Sequence, residues 1–160
     1  MALRQKGDYW YGDGPSDVWD YFVWWTRSSV EPVKHWKQAI CRCGHTRFEV
    51  DYDEEEAYLL RRCTECGAEH EMFKEEEPPF VPAPGEEELA EISDPDPEPV
   101  LCICGRDEFE VVGVTAPFQS DPDSAKWFYL GLRCVHCGCL GCYADWIPRY
   151  NDYKAFLAML

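Results

Sequence analysis

Ten cysteines carry most of the chemistry that this sequence offers, and eight of them form a pattern that occurs twice. The first copy is Cys41-Arg42-Cys43-Gly44 followed by Cys63-Thr64-Glu65-Cys66-Gly67. The second copy is Cys102-Ile103-Cys104-Gly105 followed by Cys134-Val135-His136-Cys137-Gly138. The first pair, with the Phe-Glu-Val triplet after it, recurs 61 positions along the chain, and the second pair recurs 71 positions along. The chain therefore contains an internal repeat whose second copy has ten extra residues between its cysteine pairs.

Thiols at this spacing indicate metal binding. Two thiolates separated by one or two residues bind the same ion when the backbone between them turns sharply, and the glycine after each pair permits that turn because it adopts positive φ at little cost. Two such pairs supply four sulfurs in a tetrahedron, the arrangement typical of structural zinc sites. The pattern predicts two zinc ions, one bound by Cys41, Cys43, Cys63 and Cys66 and the other by Cys102, Cys104, Cys134 and Cys137.

Disulfide bonds and iron–sulfur clusters are the alternative uses of so many cysteines. Disulfide-rich chains are usually short and secreted, whereas this sequence shows no apolar signal segment and no apolar run long enough to span a membrane. A cytoplasmic location, where thiols stay reduced, is therefore expected, and metal is favoured over disulfides. Four cysteines can also hold an iron–sulfur cluster, but paired cysteine turns separated by strands favour zinc. Closed four-sulfur sites leave no position for substrate, so the metals are expected to stabilise the fold.

Both copies of the pattern resemble zinc ribbons, over residues 40–73 and 101–147. In the second copy, Trp127–Cys134 with Asp145-Trp146 and Tyr150-Asn151-Asp152-Tyr153 is similar to small bacterial zinc-ribbon proteins. The resemblance implies a metal site and a ribbon fold in each copy. It does not imply one function, because ribbons serve as nucleic-acid, protein and structural modules alike.

The elements that position the cysteines predict an α+β fold: two small three-stranded antiparallel zinc ribbons, an aromatic N-terminal helix and a C-terminal helix. In the first ribbon, residues 47–52 alternate apolar and polar side chains, as a half-buried strand does. Five regions are expected: 1–40, aromatic and helical; 41–73, the first ribbon; 74–100, an acidic proline-rich linker; 101–147, the second ribbon; and 148–160, the C-terminal helix, for which Asn151 is a candidate cap.

The N-terminal region combines a predicted helix with many aromatic side chains. Ser16 is expected to cap this helix. One of its faces carries Val18, Trp19, Phe22 and Trp25 at helical spacing. A second short helix is expected at 33–40. The first helix is interpreted as apolar cover for a ribbon. A further hypothesis is that its surplus aromatic residues form a recognition surface, since Trp and Tyr are common interface anchors.

Charge determines the kind of partner that is expected. The chain has 31 acidic and 15 basic residues, a net charge of −16. Such a surface repels DNA and RNA and favours a protein with a basic face. We therefore expect a non-catalytic, zinc-stabilised protein-binding module, of which an immunity-type inhibitor of a basic toxin or nuclease is one form. The candidate partner-binding residues are Trp10, Tyr11, Trp24, Glu54, Glu55 and Glu56.

Two other functions stay open at the level of sequence. A nucleic-acid-binding or transcription-associated ribbon protein would need a basic face, for which the candidates are Arg42, Arg47, Arg61 and Arg62. A thiol redox or metal-transfer protein would use Cys139 and Cys142, which are interpreted as packed, reduced cysteines on a third strand. No catalytic triad and no phosphate-binding glycine loop is recognisable, so enzymatic activity is not expected.

Overall fold

The computed structural model describes residues 3–53, 58–72, 96–146 and 152–160, and for 142–146 it describes the backbone alone. Within these residues the chain forms two helices and ten strands. The helices are α1 (Pro15–Trp25) and α2 (Tyr153–Leu157). The strands are β1 (Arg4–Lys6), β2 (Tyr9–Tyr11), β3 (His35–Gln38), β4 (Phe48–Asp53), β5 (Tyr58–Cys63), β6 (Glu69–Met72), β7 (Glu98–Pro99), β8 (Phe109–Ala116), β9 (Trp127–Cys134) and β10 (Cys139–Trp146). Neither of these helices is long and apolar enough to cross a membrane.

All ten strands belong to one antiparallel sheet. Its main order is β1-β2-β10-β9-β8-β4-β5-β6, while β3 pairs with β8 and β7 pairs with β4. Strands β4, β5 and β6 surround the first cysteine set, and β8, β9 and β10 surround the second. The two halves join where Phe48 of β4 pairs with Phe109 of β8. The halves that the sequence suggested as separate regions therefore share one sheet.

The internal repeat appears in the structure as an approximate twofold relation between the halves. Strand β3, which precedes Cys41, pairs with β8 of the second half. Strand β7, which precedes Cys102, pairs with β4 of the first half. Lys37 is aligned with Gly113, and Glu98 is aligned with Tyr52. A shift of 61 positions converts the first pairing into the second, so each half completes the other half's sheet in the same register.

The same exchange continues up to the cysteines. The Ala39 amide donates to the Val111 carbonyl at 2.8 Å, and the Val100 amide donates to the Val50 carbonyl at 2.8 Å. These two bonds are also related by 61 positions. Backbone hydrogen bonds from each half therefore hold the segment that leads into the other half's cysteine pair.

Helix α1 covers one face of the second half, as its apolar face predicted. Val18 and Phe22 are fully buried and pack directly over Gly131, where a Cβ atom would lie 2.5 Å from Val18 Cγ1 and 2.6 Å from Phe22 Cε2. On the opposite face, Phe156 and Leu157 of α2 belong to the core that contains the cysteines. Because successive residues of β8 face opposite sides, this strand contributes to both cores.

The start of α1 differs from the prediction. Gly14, not Ser16, is the N-cap, and Pro15 is the first helical residue, a position where proline is favoured because no backbone donor is needed. The Asp17 carboxylate accepts hydrogen bonds from the amides of Asp13 at 2.7 Å and Gly14 at 3.1 Å. An acidic side chain in the first turn thus replaces the expected serine cap.

The helix expected at 33–40 is wrong, because residues 35–38 form strand β3. Pairing with β8 satisfies the backbone of this segment, and such tertiary pairing overrides weak local preference. Asp152 caps α2, with its Oδ1 accepting from the Lys154 amide at 2.8 Å. Several predicted features lie outside the described residues: Glu54, Glu55, Glu56, Asn151 and residues 74–95 of the predicted linker. The last residues of that linker include β7.

Candidate metal centres

The first four-cysteine cluster lies at one end of the β4–β5–β6 strands. Cys41 and Cys43 lie in the turn before β4, Cys63 ends β5, and Cys66 lies in the turn to β6. The Sγ atoms of Cys41 and Cys66 are 3.5 Å apart, and those of Cys43 and Cys63 are 3.7 Å apart. Cys41 and Cys63 are buried, whereas Cys43 and Cys66 are exposed. The cluster therefore has an inner and an outer pair.

The second cluster repeats this geometry in the other half. Cys102 and Cys104 precede β8, Cys134 ends β9, and Cys137 lies in the turn to β10. The Sγ atoms of Cys102 and Cys137 are 3.5 Å apart, and those of Cys104 and Cys134 are 3.7 Å apart. Both distances equal those of the first cluster, so the repeat reproduces the site as well as the strands.

Glycines form the turns, as the sequence predicts. The residue after each cysteine pair has positive φ: 90° at Gly44, 74° at Gly67, 86° at Gly105 and 82° at Gly138. In the first turn of each half, the glycine amide donates to the carbonyl of the first cysteine, at 2.7 Å for Gly44 and 2.8 Å for Gly105. The local backbone thus brings two thiols of each pair toward one point.

The distances fit one ion in each cluster. In each set of four cysteines the sulfur atoms all lie within 4.8 Å of one another. A metal bound by four thiolates at about 2.3 Å holds the sulfurs about 3.8 Å apart at tetrahedral angles. The Sγ–Sγ separations of 3.5 and 3.7 Å are close to that value and far from the roughly 2.0 Å of a disulfide bond. Each four-cysteine cluster can therefore hold one metal ion.

Hydrogen bonds from backbone amides lower the pKa of some of the thiols, and the thiolate is the form that binds a metal. Burial opposes ionisation of Cys63, but the amides of Cys66 and Glu65 and the neighbouring thiols outweigh it and lower the pKa of Cys63 to about 6. The Arg106 amide is the main cause that lowers the pKa of Cys104 to about 7, against its burial. Burial and adjacent thiols raise the pKa of Cys102. A metal must therefore displace protons from the other thiols, and its binding weakens as pH falls.

The surroundings distinguish the two clusters. Beside the first, Arg61 is only 8% exposed, and its guanidinium lies 4.7 Å above the Phe48 ring. Burial lowers the pKa of Arg61, while the nearby thiols of Cys41 and Cys63 raise it. The equivalent position in the second half is Leu132, a shift of 71 positions. A buried positive charge thus accompanies the first set of thiolates, where the second half has an apolar side chain.

Beside the second cluster lies an additional thiol. Cys139 is 8% exposed, and its amide donates to the Cys137 sulfur at 3.4 Å. Burial raises the pKa of Cys139, the charge of Cys137 adds to that shift, and a hydrogen bond with Cys102 opposes it. A thiol with raised pKa is a poor nucleophile at neutral pH, which argues against a redox function at Cys139. The side chain of Cys142 lies outside the described residues.

An ion pair next to each cluster was not foreseen. Arg62 pairs with Glu49 at 3.1 Å, and Arg133 pairs with Glu110 at 3.1 Å. These are equivalent positions of the repeat, and their side chains are aligned across β4–β5 and β8–β9. The sequence contained the information needed to predict these pairs. The Phe-Glu-Val triplet recurs 61 positions along and the Arg-Cys dipeptide 71 positions along, as the cysteine pairs do.

Three of the four arginines proposed as a basic face are buried or lie next to carboxylates. Arg61 is buried, and Arg62 contacts three carboxylates, those of Glu49, Asp51 and Glu69. The guanidinium of Arg47 lies 4.0 Å from the carboxylate of Glu108. Only Arg42 of these four is exposed without an ion pair among the described contacts. The positive charge available to nucleic acid here is small.

The aromatic candidates divide between the two faces of β2. Trp10 packs against the core beneath α1, and its ring lies 4.6 Å from that of Trp24, which is 36% exposed. Tyr11, the next residue, packs against the core that contains the cysteines. Trp10 and Trp24 therefore share a surface that Tyr11 does not.

Comparison with known proteins adds no assignment. No protein-family model, curated protein or solved structure matches the chain. The function must therefore be inferred from the chemistry of these residues.

Proposed function

We propose that the protein is a non-catalytic binding module, built on two zinc ribbons, whose acidic surface docks on a basic protein. The observation that carries this proposal is the pair of closed four-cysteine clusters, each with the spacing of a single tetrahedral ion. Sulfurs this close surround one ion and leave no room for a polynuclear iron–sulfur cluster. Zinc is the metal that four thiolates in a tetrahedron typically bind.

The role of the metals is structural. Four thiolates complete the coordination of each ion, so no open position remains for water or substrate. Cys41, Cys63, Cys102 and Cys134 belong to the buried core, so each ion would connect a turn to the centre of its half. Structural zinc contributes its binding free energy to folding, which matters here because each half alone is too small for a large apolar core.

The charge supports a basic protein as the partner. Several basic side chains pair with carboxylates of the chain itself: Arg133 with Glu110, Lys126 with Glu31, and Arg62 with three carboxylates. With 31 acidic residues against 15 basic ones, the remaining surface is strongly negative. Such a field attracts a positively charged protein and accelerates its association. The charge also motivates the narrower choice of a toxin or nuclease neutralised by an immunity-type protein.

Binding assays separate this proposal from its alternatives. The zinc-loaded protein, immobilised and exposed to a lysate of the source cells, should retain a basic protein that elutes as salt is raised. Gel shifts with duplex DNA and structured RNA at moderate salt should show no complex. A nucleic-acid shift, or a lysate from which no saturable protein partner is recovered, would overturn the proposal.

A further inference from the structure

A groove lies where helix α1, strand β2 and the second cysteine turn meet. Its volume is about 340 Å³, at the lower end of the range of about 300–1,000 Å³ found for ligand sites. Three of the residues that line it are well exposed: Tyr9 at 47%, Trp25 at 46% and Ile103 at 56%. We call this the aromatic groove, and its apolar lining is Tyr9, Trp10, Tyr21, Trp25, Ile103 and Leu140.

The main anchors of α1 are buried residues and not the exposed rings of the groove. Val18 and Phe22 are fully buried and press on Gly131 of β9, so these two residues anchor the helix. Trp25 lies at the end of the same face, with its ring 5.9 Å from that of Phe22 and 5.3 Å from that of Tyr129, and 46% of it stays exposed. On the far wall, Ile103 lies between Cys102 and Cys104, and the conformation of that turn depends on the second cluster. The groove is therefore formed by rigid elements, which reduces the entropic cost of binding.

Its chemistry favours a positively charged occupant. Asp8 is the only charged residue that lines the groove in the described part of the chain. Aromatic ring faces attract cations, and arginine is the most frequent partner. A contact of this kind lies beside the groove, where the guanidinium of Arg27 is 4.6 Å from the centre of the Trp24 ring, which in turn packs on Trp10. The groove therefore suits an arginine side chain better than an acidic or neutral one. Its described lining offers aromatic rings and one carboxylate, and no positively charged side chain.

We propose that the aromatic groove binds an arginine-bearing segment of the basic protein partner. This inference rests on the proposed function and names the surface on which the partner's segment lies. The guanidinium packs on the rings of Tyr9 and Trp25 near the carboxylate of Asp8. Apolar neighbours of the arginine contact Ile103 and Leu140, and the acidic remainder of the surface provides long-range attraction.

Defined peptides test the inference without the natural partner. The probe is the hexapeptide acetyl-Gly-Leu-Arg-Leu-Arg-Gly-amide, and its versions with lysine, glutamine or glutamate in place of arginine are the comparisons. Affinity is measured by tryptophan fluorescence and by NMR shift perturbation of the zinc-loaded full chain. The arginine peptide should bind most tightly and the glutamate peptide should not bind.

Variants locate the site. Trp25→Leu and Tyr9→Leu should each weaken binding of the arginine peptide by about three- to thirtyfold through loss of a cation–π contact. Asp8→Asn, which changes an exposed loop and no packing, should weaken it by about two- to fivefold. The matched control is Trp36→Leu, because Trp36 is 39% exposed but lies on β3, stacked on Trp19. It should leave the affinity unchanged.

The outcomes distinguish the groove from the proposed function. If the groove variants bind the arginine peptide like the wild type, and binding still weakens with salt, the groove assignment falls while acidic docking survives. If no basic peptide and no basic protein binds, both fail. Equal binding of the glutamine peptide would overturn the cationic occupant. Dimerisation of the free chain that Trp25→Leu abolishes would assign the groove to a second copy instead.

Discussion

The repeat places the same ion pair in two environments, which allows a controlled prediction about buried charge. In the Arg133–Glu110 pair the side chains are only 12% and 13% exposed, whereas in Arg62–Glu49 they are 34% and 43% exposed. Arg133 also donates from Nε to the Gly12 carbonyl at 2.9 Å, and Glu110 Oε2 has no hydrogen-bond partner within the described part of the chain. Glu110 therefore depends on one partner.

Replacing Arg133 with Met should be much more costly than the same change at Arg62. It leaves a buried carboxylate without its guanidinium, and breaking a buried pair in this way typically costs about 3–5 kcal/mol. Because Glu110 keeps some solvent exposure and the charge of Arg47 acts on it, we expect about 2–4 kcal/mol. For Arg62→Met, which releases two well-exposed carboxylates, Glu49 and Glu69, and the less exposed Asp51, we expect about 1 kcal/mol.

Urea unfolding at pH 7 in excess zinc measures both free energies of unfolding, with tryptophan fluorescence as the signal. The double variant Glu110→Met with Arg133→Met should recover most of the loss, since it removes both charges together. The reasoning is refuted if Arg133→Met lies within about 1 kcal/mol of the wild type, or if Arg62→Met costs as much.

Three further results are expected. Burial raises the pKa of Glu110 above its ordinary 4.5, against the charges of Arg133 and Arg47. The wild type should therefore lose stability relative to Glu110→Gln as pH rises from about 4.5 through the raised pKa. Urea titrations that show a constant difference in unfolding free energy across this range would contradict the prediction. Gly138→Ala should lower the free energy of unfolding by at least about 1 kcal/mol more than Gly67→Ala. Both glycines have positive φ, but only at Gly138 would a Cβ lie 2.6 Å from a backbone oxygen, that of Gly12. Equal losses in the two variants would argue against that contact. Chelation should unfold both halves in one transition, since each contains a strand of the other, and hydrogen exchange that leaves one half protected would exclude this coupling.

The cysteine clusters were accessible from sequence because their geometry is local. A glycine after each pair sets the turn, and the duplicated spacing indicates which cysteines belong together. Strand β4 was similarly accessible, since residues 47–52 alternate apolar and polar side chains as a half-buried strand does. Local chemistry and the repeat thus explain this part of the structure.

The pairing of β3 and β7 with the opposite half could not be predicted from the sequence. Strands β3 and β7 have the sequences His-Trp-Lys-Gln and Glu-Pro, which carry no strong strand preference, and the first was expected to be helical. Their conformation comes from pairing with the opposite half. The aromatic groove needed the same information, because Ile103 and Trp25 are far apart in sequence and only the sheet brings them together.

Metal content tests the central claim most directly. Elemental analysis and native mass spectrometry of the purified chain should find two zinc ions, and cobalt substitution should give the absorption of tetrahedral cobalt–thiolate at both sites. Cys63→Ser should reduce tightly bound metal to one ion, retained at the second cluster. Fewer than two ions in the wild type, or thiol titration showing these cysteines paired as disulfides, would contradict the account.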